Sequence, residues 1–212
     1  MPSYMFGLQH FWLFLSAGIL LNLAPGPDTA FILGRTIAGG RRAGIASALG
    51  IGVGSVLHTI AAAVGLSAFL ATSAWAFTAV KLLGACYLIF LGLKTLLQPR
   101  ITLGRADQST TVGFGSAFRQ GIVTNVLNPK VALFFLAFLP QFIDPAAPAK
   151  VPAFLILGST FVTTGTIWCL FLAWFASAIS QRLRKSENLT TWLNQTVGAL
   201  FIGLGVRLAT SR

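Results

Sequence analysis

Asp28 is the residue of this sequence with the clearest chemical potential, because it is the one acidic residue that falls inside a long apolar run. The run extends from Phe11 to Leu33, and the segment NLAPGPD at residues 22–28 interrupts it. A carboxylate surrounded by hydrocarbon is costly unless it is paired or hydrated, so it usually serves a function. Asp28 could bind the ammonium group of a substrate or carry a proton. A structural role as N-terminal cap of the following helix is compatible with both.

Lys130 occupies a second interruption, directly after an Asn-Pro pair within the apolar run Ser116–Phe142. Its ammonium group could pair with Asp28, or it could hold the carboxylate of a substrate. Asn22 and Asn125 each precede the interruption of their own run. Their amides could cap or bridge backbone groups at the breaks, and both could contact a ligand.

The prolines explain why the breaks matter. Proline has no N–H and displaces a carbonyl of the preceding turn, so each break releases backbone polar groups. In hydrocarbon these groups need partners, so the broken segments must face protein or a hydrated cavity. Beyond each break a new helix begins, with its N–H groups and positive dipole end directed at that cavity.

His58 lies near the middle of another apolar run, on one helix face with small residues. That face contains Ala46, Gly50, Gly54 and Ala62. Such a stripe permits close approach of helices, so His58 either bonds to a neighbouring helix or relays protons.

An intramembrane enzyme is the main alternative from another functional class. Ser55 and His58 lie one turn apart, but adjacent turns of one helix seldom direct a nucleophile at its base. The sequence has no HExxH, P-loop or paired redox cysteines, and Cys86 and Cys169 both fall in apolar runs. We therefore predict no enzymatic activity, no cofactor and no metal site.

The composition indicates which elements position these residues. Of 212 residues, 55% are hydrophobic and 9% are charged, with a mean hydropathy of +0.80. Soluble domains carry about 25% charged residues, so this is an all-α membrane protein. The net charge of +11 would suggest nucleic-acid binding in a soluble protein. Here the basic residues cluster between apolar runs, which indicates membrane topology instead.

Six apolar segments are long enough to cross a bilayer, since a spanning helix needs about 20 residues. They are Phe6–Ala38, Ile45–Ala71, Ala76–Leu97, Ser116–Phe142, Pro152–Ile179 and Leu189–Ala209. The first and fourth are the interrupted ones.

Basic residues concentrate after spans one, three and five. They are Arg35, Arg41 and Arg42, then Lys94, Arg100, Arg105 and Arg119, then Arg182, Arg184 and Lys185. The connection after span four has only Lys150. Because cytoplasmic connections are enriched in Lys and Arg, we predict that both termini face outward.

The two halves of the chain resemble each other. GILLNLAP from Gly18 aligns with GIVTNVLNP from Gly121, and GACYLIFLGLK from Gly84 aligns with GALFIGLGVR from Gly198. We predict one integral membrane domain over 1–212, with repeats at 6–97 and 116–209 and a cytoplasmic linker at 98–115. Because each repeat has three spans, the second must be inverted relative to the first. Inverted repeats with paired broken helices are a transporter design whose site lies near the bilayer midplane.

Four segments in this order resemble the lysine-exporter (LysE/RhtB) family of bacterial amino-acid efflux proteins. They are NLAPGPDTAFIL from Asn22, GRRAGIASALGIGVGSVLHTIAAAVGLS from Gly40, KLLGACYLIFLGLK from Lys81 and FRQGIVTNVLNPKVALFFLAFLPQF from Phe118. The resemblance implies export of amino acids or related metabolites across the inner membrane, driven by the proton gradient. By position it also implies a set of binding residues: Asn22, Pro25, Gly26, Pro27, Asp28, Asn125, Asn128, Pro129 and Lys130.

The expected mechanism is alternating access by rocking of the two halves. A zwitterion would place its ammonium on Asp28 and its carboxylate on a half-helix N-terminus near Lys130. Asp28 or His58 would bind the coupling proton. The alternatives are export of divalent metal ions, for which ligands are few, and transport of lipid headgroups. The glycine stripes are compatible with a homodimer and with packing inside one chain.

Overall fold

The computed structural model describes residues 7–66, 113–144, 146–147 and 149–185, with side chains as far as residue 175. It also describes nine isolated positions at 82, 86, 89, 90, 93, 199, 202, 203 and 206. The predicted third and sixth spans and most of the 98–115 linker lie outside the continuous described segments.

Five α-helices make up most of the described chain. They are α1 (Phe11–Leu23), α2 (Pro27–Ala61), α3 (Phe114–Val126), α4 (Pro129–Leu133) and α5 (Val151–Lys185). A π-helical turn at Ala62–Leu66 extends α2, and a π turn at Phe134–Phe138 followed by a 3-10 turn at Leu139–Phe142 extends α4. In these segments the sole β pairing is an isolated bridge between Leu8 and Ile143. The described chain is therefore all-helical, as predicted.

Both predicted breaks are present. The helix α1 ends at Leu23 and α2 begins at Pro27, whose missing N–H suits the first position of a helix. The second break separates α3 from Pro129, and the two arms meet at a bend of 47°. Each first arm contains 13 residues, a rise of about 20 Å, which is shorter than a hydrocarbon core of about 30 Å.

Gly40 divides α2 into two arms, 27–39 and 41–61. Its φ of 74° and ψ of −179° are non-helical and are accessible mainly to glycine. The chain reverses there, since Thr36 lies against Gly44 across the turn, whereas a straight helix would separate these residues by about 12 Å. The first predicted span is thus α1 plus the arm 27–39. The second span begins at residue 41 rather than at the predicted Ile45.

The contacts define the directions of the helices. The arm 41–61 is parallel to α3, because Gly50 meets Phe118 and Gly54 meets Asn125. In the same way α1 is parallel to α5, because Gly18 meets Phe161 and Asn22 meets Gly165. The arm 41–61 and α5 run in opposite directions, since Gly52 meets Thr166 and Gly158 meets Thr59. These relative directions are those of successive spans that alternate in direction.

An aromatic core holds the two broken helices together. Phe14 of α1, Phe134 and Phe135 after α4, and Phe154 and Phe161 of α5 are all buried in one cluster. The Phe134 and Phe161 rings stack with centroids 4.4 Å apart. Because this core joins α1 to the second broken helix through α5, it brings the two breaks close to each other.

The described helices are suited to a membrane. Pro27–Gly65 and Val151–Phe175 are each long and apolar enough to cross one, and the bent pair Phe114–Val126 and Pro129–Phe142 counts as a third such element. Because the chain reverses at Gly40, the part of Pro27–Gly65 that is suited to cross the membrane is the part after Gly40. Helix α5 continues to Lys185, so the basic residues predicted to follow span five belong to its last turns. The chain is a multi-pass membrane protein, while the six-span inverted repeat stays a prediction.

Candidate functional site

Asp28 and Asn125 join the two breaks. The Asn125 side-chain amide donates a hydrogen bond of 2.8 Å from Nδ2 to Oδ2 of Asp28. The other carboxylate oxygen, Oδ1, is buried and has no hydrogen-bond partner among the described residues. Asp28 lies in the first turn of α2, where the positive end of the helix dipole favours a carboxylate. It does not cap that helix as expected, since the N-cap is Gly26 and has no side-chain bond.

Asn125 also connects the site to the second arm of α2. Its Oδ1 accepts from the Ser55 hydroxyl at 3.2 Å, and its backbone oxygen lies 3.3 Å from Nε2 of His58. A carbonyl oxygen can only accept, so this contact is a hydrogen bond when Nε2 carries the proton. His58 therefore bonds to a neighbouring helix, which is the structural role considered for it. Ser55 and His58 meet Asn125 and not each other, so they are not a nucleophile and its base.

Lys130 binds backbone carbonyls rather than Asp28. Its ammonium donates to the oxygen of Leu21 at 3.1 Å and to that of Ala24 at 2.9 Å. These carbonyls end α1, where a helix has no intrahelical donors for them. The expected direct ion pair with Asp28 is absent from the described contacts. Lys130 belongs to the second break, and its ammonium instead donates to backbone carbonyls of the first break.

The remaining predicted residues divide into capping and packing roles. Asn128 caps α4, because its Oδ1 accepts from the backbone N–H of Lys130 at 3.0 Å. Capping was one of the roles considered for Asn22 and Asn125, and neither side chain caps a helix in the described contacts. Asn22 donates to the hydroxyl of Thr164 at 3.2 Å. Pro27 and Pro129 begin their helices, Pro25 lies in the break, and Gly26 lies next to the Lys130 ammonium.

The two asparagines have matching surroundings. A Cβ added at Gly54 would lie 2.8 Å from Oδ1 of Asn125, and one added at Gly165 would lie 2.9 Å from Oδ1 of Asn22. Each asparagine thus packs on a glycine of a helix from the opposite half. Each also bonds to a hydroxyl residue beside that glycine, Ser55 or Thr164. The two asparagines that align in the sequence therefore make similar tertiary contacts.

A cavity of about 30 Å³ lies between the breaks. It is lined by Asn22, Asp28, Thr29, Ile51, Gly52, Ser55, Asn125, Lys130, Val131, Phe161, Gly165, Thr166 and Cys169. Since a buried water needs roughly 10–15 Å³, the cavity has room for about two water molecules. Four of the predicted binding residues line this cavity, and two of the four are an acid, Asp28, and a base, Lys130.

The sequence reasoning missed the contribution of α5. Thr164, Gly165 and Thr166 supply the cavity wall and the partner of Asn22. The run Thr163–Thr166, which reads TTGT inside an apolar segment, was a usable signal. Cys169 was expected to be a core residue, and it is buried against the cavity. The described residues contain no group of three metal-ligating side chains.

Comparison with known proteins found a family model and several similar sequences. A family model described as LysE type translocator matches residues 19–212. A leucine efflux protein of Salmonella typhimurium is 32% identical over 205 residues, which is 97% of each chain. An uncharacterized membrane protein of Vibrio cholerae is 33% identical over 204 residues, 96% of this chain and 98% of its own. One of Pseudomonas aeruginosa is 30% identical over 212 residues, 97% of each chain. No solved structure matches.

Proposed function

The chain belongs to the LysE type translocator family and is a transporter rather than an enzyme, and we propose that it exports amino acids or closely related metabolites. Leucine is the first cargo to test, because the Salmonella relatives are named leucine efflux proteins. The observation that carries the proposal is the joint presence of Asp28 and Lys130 in one cavity between two broken helices. Opposite charges at such a site suit the two ends of a zwitterion.

Asp28 is the proposed partner of the cargo ammonium. Its Oδ1 has no described hydrogen-bond partner although it is buried, so it offers an acceptor to a ligand. A donor from the cargo would remove the cost of that unsatisfied oxygen. Asn125 holds the other oxygen, which fixes the orientation of the carboxylate.

The cargo carboxylate is assigned to the other side of the cavity. Lys130 has three N–H donors, and two of them go to Leu21 and Ala24. The third N–H of the Lys130 ammonium is available to attract the anion. Ile51, Val131 and Phe161 line the same cavity and would face the apolar part of a cargo such as leucine.

Alternating access is the proposed mechanism, and the small size of the cavity supports it. About 30 Å³ accommodates roughly two waters and not an amino acid, so the helices must separate to admit cargo. We propose that the two halves rock about the contact between Asp28 and Asn125. A proton on Asp28 would weaken its attraction for the cargo ammonium and so couple release to the proton gradient. Asp28 and His58 are the proposed proton-carrying residues.

The orientation proposed is the one with both termini outside the cytoplasm, in the bacterial inner membrane. Arg35, Arg41, Arg42 and Arg119 lie at the end of the molecule that contains the Gly40 turn and the start of α3. The opposite end carries Asp144 and Lys150, with Gly7 paired to Asp144 through the backbone. The excess of arginine supports a cytoplasmic location for the first end.

The test is uptake of labelled amino acids by everted membrane vesicles under an imposed pH gradient. Vesicles with the wild-type chain are expected to accumulate leucine or another amino acid from the pool, and dissipating the gradient should stop accumulation. Asp28→Asn should abolish uptake while the protein still inserts, because the amide keeps the shape but loses the charge.

Asp144→Asn is the matched control. In the part of the chain that the structure describes, the Asp144 side chain accepts one loop bond, from the N–H of Ala146, which an amide oxygen can replace. Uptake by the Asp144→Asn protein should equal that of the wild type. Undiminished uptake by Asp28→Asn would contradict the assigned role, and uptake of none of the amino acids would contradict the proposed cargo class.

A further inference from the structure

Lys130 occupies a position where a small cation would be expected in a transporter of this kind. Its ammonium lies 3.1 Å from the Leu21 carbonyl oxygen and 2.9 Å from that of Ala24. Leu21 and Ala24 are each 2% exposed and Lys130 is 9% exposed, so this contact is shielded from solvent. Both carbonyls lie at the C-terminal end of α1, which carries the negative end of the helix dipole.

Carbonyls released at a helix break have a strong need for a positive partner. Water is scarce at that depth, and each unsatisfied group costs several kcal/mol in hydrocarbon. In transporters with broken helices such carbonyls and half-helix C-termini coordinate the coupling cation. Here the positive charge comes from the other half of the same chain.

We propose that the Leu21 and Ala24 carbonyls form a monovalent-cation site that the tethered ammonium of Lys130 fills permanently. The protein consequently needs no sodium ion at the first break. Removing the ammonium while leaving the space should open the site to a free cation. This inference goes beyond the proposed export function, because the site would exist whatever the cargo is.

Lys130 is closely packed, so shortening its side chain would leave a defined space beside the two carbonyls. A Cβ built at Gly26 would lie 3.2 Å from Nζ and 3.4 Å from Cε of Lys130. The backbone at Gly26 therefore lies directly against the ammonium group, with only the glycine hydrogen between them. Lys130 also lines the cavity, which gives a route for a small ion once the side chain is shortened. Asp28 lines that cavity as well and adds a favourable negative charge.

The experiment compares thermal unfolding of the full purified chain in sodium chloride and in choline chloride at equal ionic strength. Wild-type protein should unfold at the same temperature in both salts. Lys130→Ala should unfold at a lower temperature in choline and recover by about 3 °C or more in sodium, because a ligand that binds only the folded state stabilises it. A third salt, n-propylammonium chloride, supplies the atoms that the substitution removes and separates a site for metal ions from one for ammonium groups.

Lys130→Met is the first matched variant, because methionine fills the space without a charge and should stay destabilised in all three salts. Lys150→Ala is the second, since Lys150 lies outside the cavity and should show no salt dependence. If Lys130→Ala cannot be purified in choline, its yield in each salt becomes the readout.

Recovery in sodium or n-propylammonium, as unfolding temperature or as yield, supports the site. Absence of recovery in both salts overturns the inference, and so does a sodium-dependent rise in the wild type. None of these readouts requires transport, so failure of the export proposal would be recognised separately.

Discussion

At the scale of single residues, Asn125 organises the site. It is 1% exposed, and its side chain and carbonyl meet three polar groups from two other helical arms. An amide suits this position because it donates to Asp28 and accepts from Ser55 at the same time. A carboxylate could not donate, and an apolar residue could do neither.

Replacing Asn125 by alanine should therefore destabilise the protein by about 1–3 kcal/mol, because a buried carboxylate and a hydroxyl lose their partners. Leucine uptake should also fall, since the orientation of Asp28 is no longer fixed. Thermal unfolding and vesicle uptake measure the two effects. Thr124→Ala is the control on the same helix, because its hydroxyl bonds only to the carbonyl of Gln120 in its own helix. Equal stability of the two variants would contradict the prediction.

The sequence identified the charged and amide residues of the site but not all of their partners. Asp28 and Lys130 are visible because a charge in an apolar run is rare. The partners of Lys130 are backbone carbonyls of Leu21 and Ala24, and backbone carbonyls leave no trace in residue identity. The Asn22–Thr164 pair depends on the tertiary register between α1 and α5, which local patterns do not encode.

At the scale of helices, close approach of the arm 41–61 to α3 is what places Ser55 beside Asn125. Gly54 makes this approach possible, because any side chain there would overlap the asparagine. The prolines predicted both breaks, since their effect on a helix is local. A reversal between the first two spans was predicted for residues 39–44, but its position at Gly40 was not, because residue identity does not reveal a φ of 74°.

Gly54→Ala should destabilise the protein by about 1–3 kcal/mol and abolish uptake, because the added methyl group would lie 2.8 Å from Asn125. The comparison variant is Gly34→Ala, where no described atom lies within 4 Å of the new Cβ. In a helix that substitution should be neutral or stabilising by about 0.5–1 kcal/mol. The unfolding temperatures of the two variants measure this difference in stability. A Gly54→Ala protein as stable as wild type would refute the packing argument.

At the scale of the whole molecule, the ends of the helices segregate by charge. The Arg41 guanidinium lies 4.5 Å from the Trp174 ring, which places the Gly40 turn next to the later part of α5. The other end joins residues 7–9 to residues 142–144 through backbone hydrogen bonds. Candidate spans could be proposed from hydropathy because hydrocarbon thickness constrains helix length, and their number, six, stays a prediction. Their mutual packing could not, because it depends on contacts between distant segments.

Labelling with a membrane-impermeant maleimide tests the proposed orientation. In a background with Cys86→Ser and Cys169→Ser, a cysteine at exposed Arg42 should react in everted vesicles and not in intact spheroplasts. A cysteine at Asp144 should show the reverse pattern, because it lies at the opposite end of the molecule. Reaction of both positions from the same side would exclude the arrangement.

The contact made by Lys130 also bears on how the chain is built during synthesis. As the second residue of α4, Lys130 lies at the positive end of its own helix, which disfavours an ammonium group. Its acceptors lie 109 and 106 residues earlier in the chain. Because translation proceeds from the N-terminus, these acceptors reach the bilayer before the lysine leaves the ribosome. Because the first half of the chain is synthesised first, the acceptors of Lys130 are already present when this residue inserts. In a circular permutant that starts near residue 113, the lysine would insert before its acceptors.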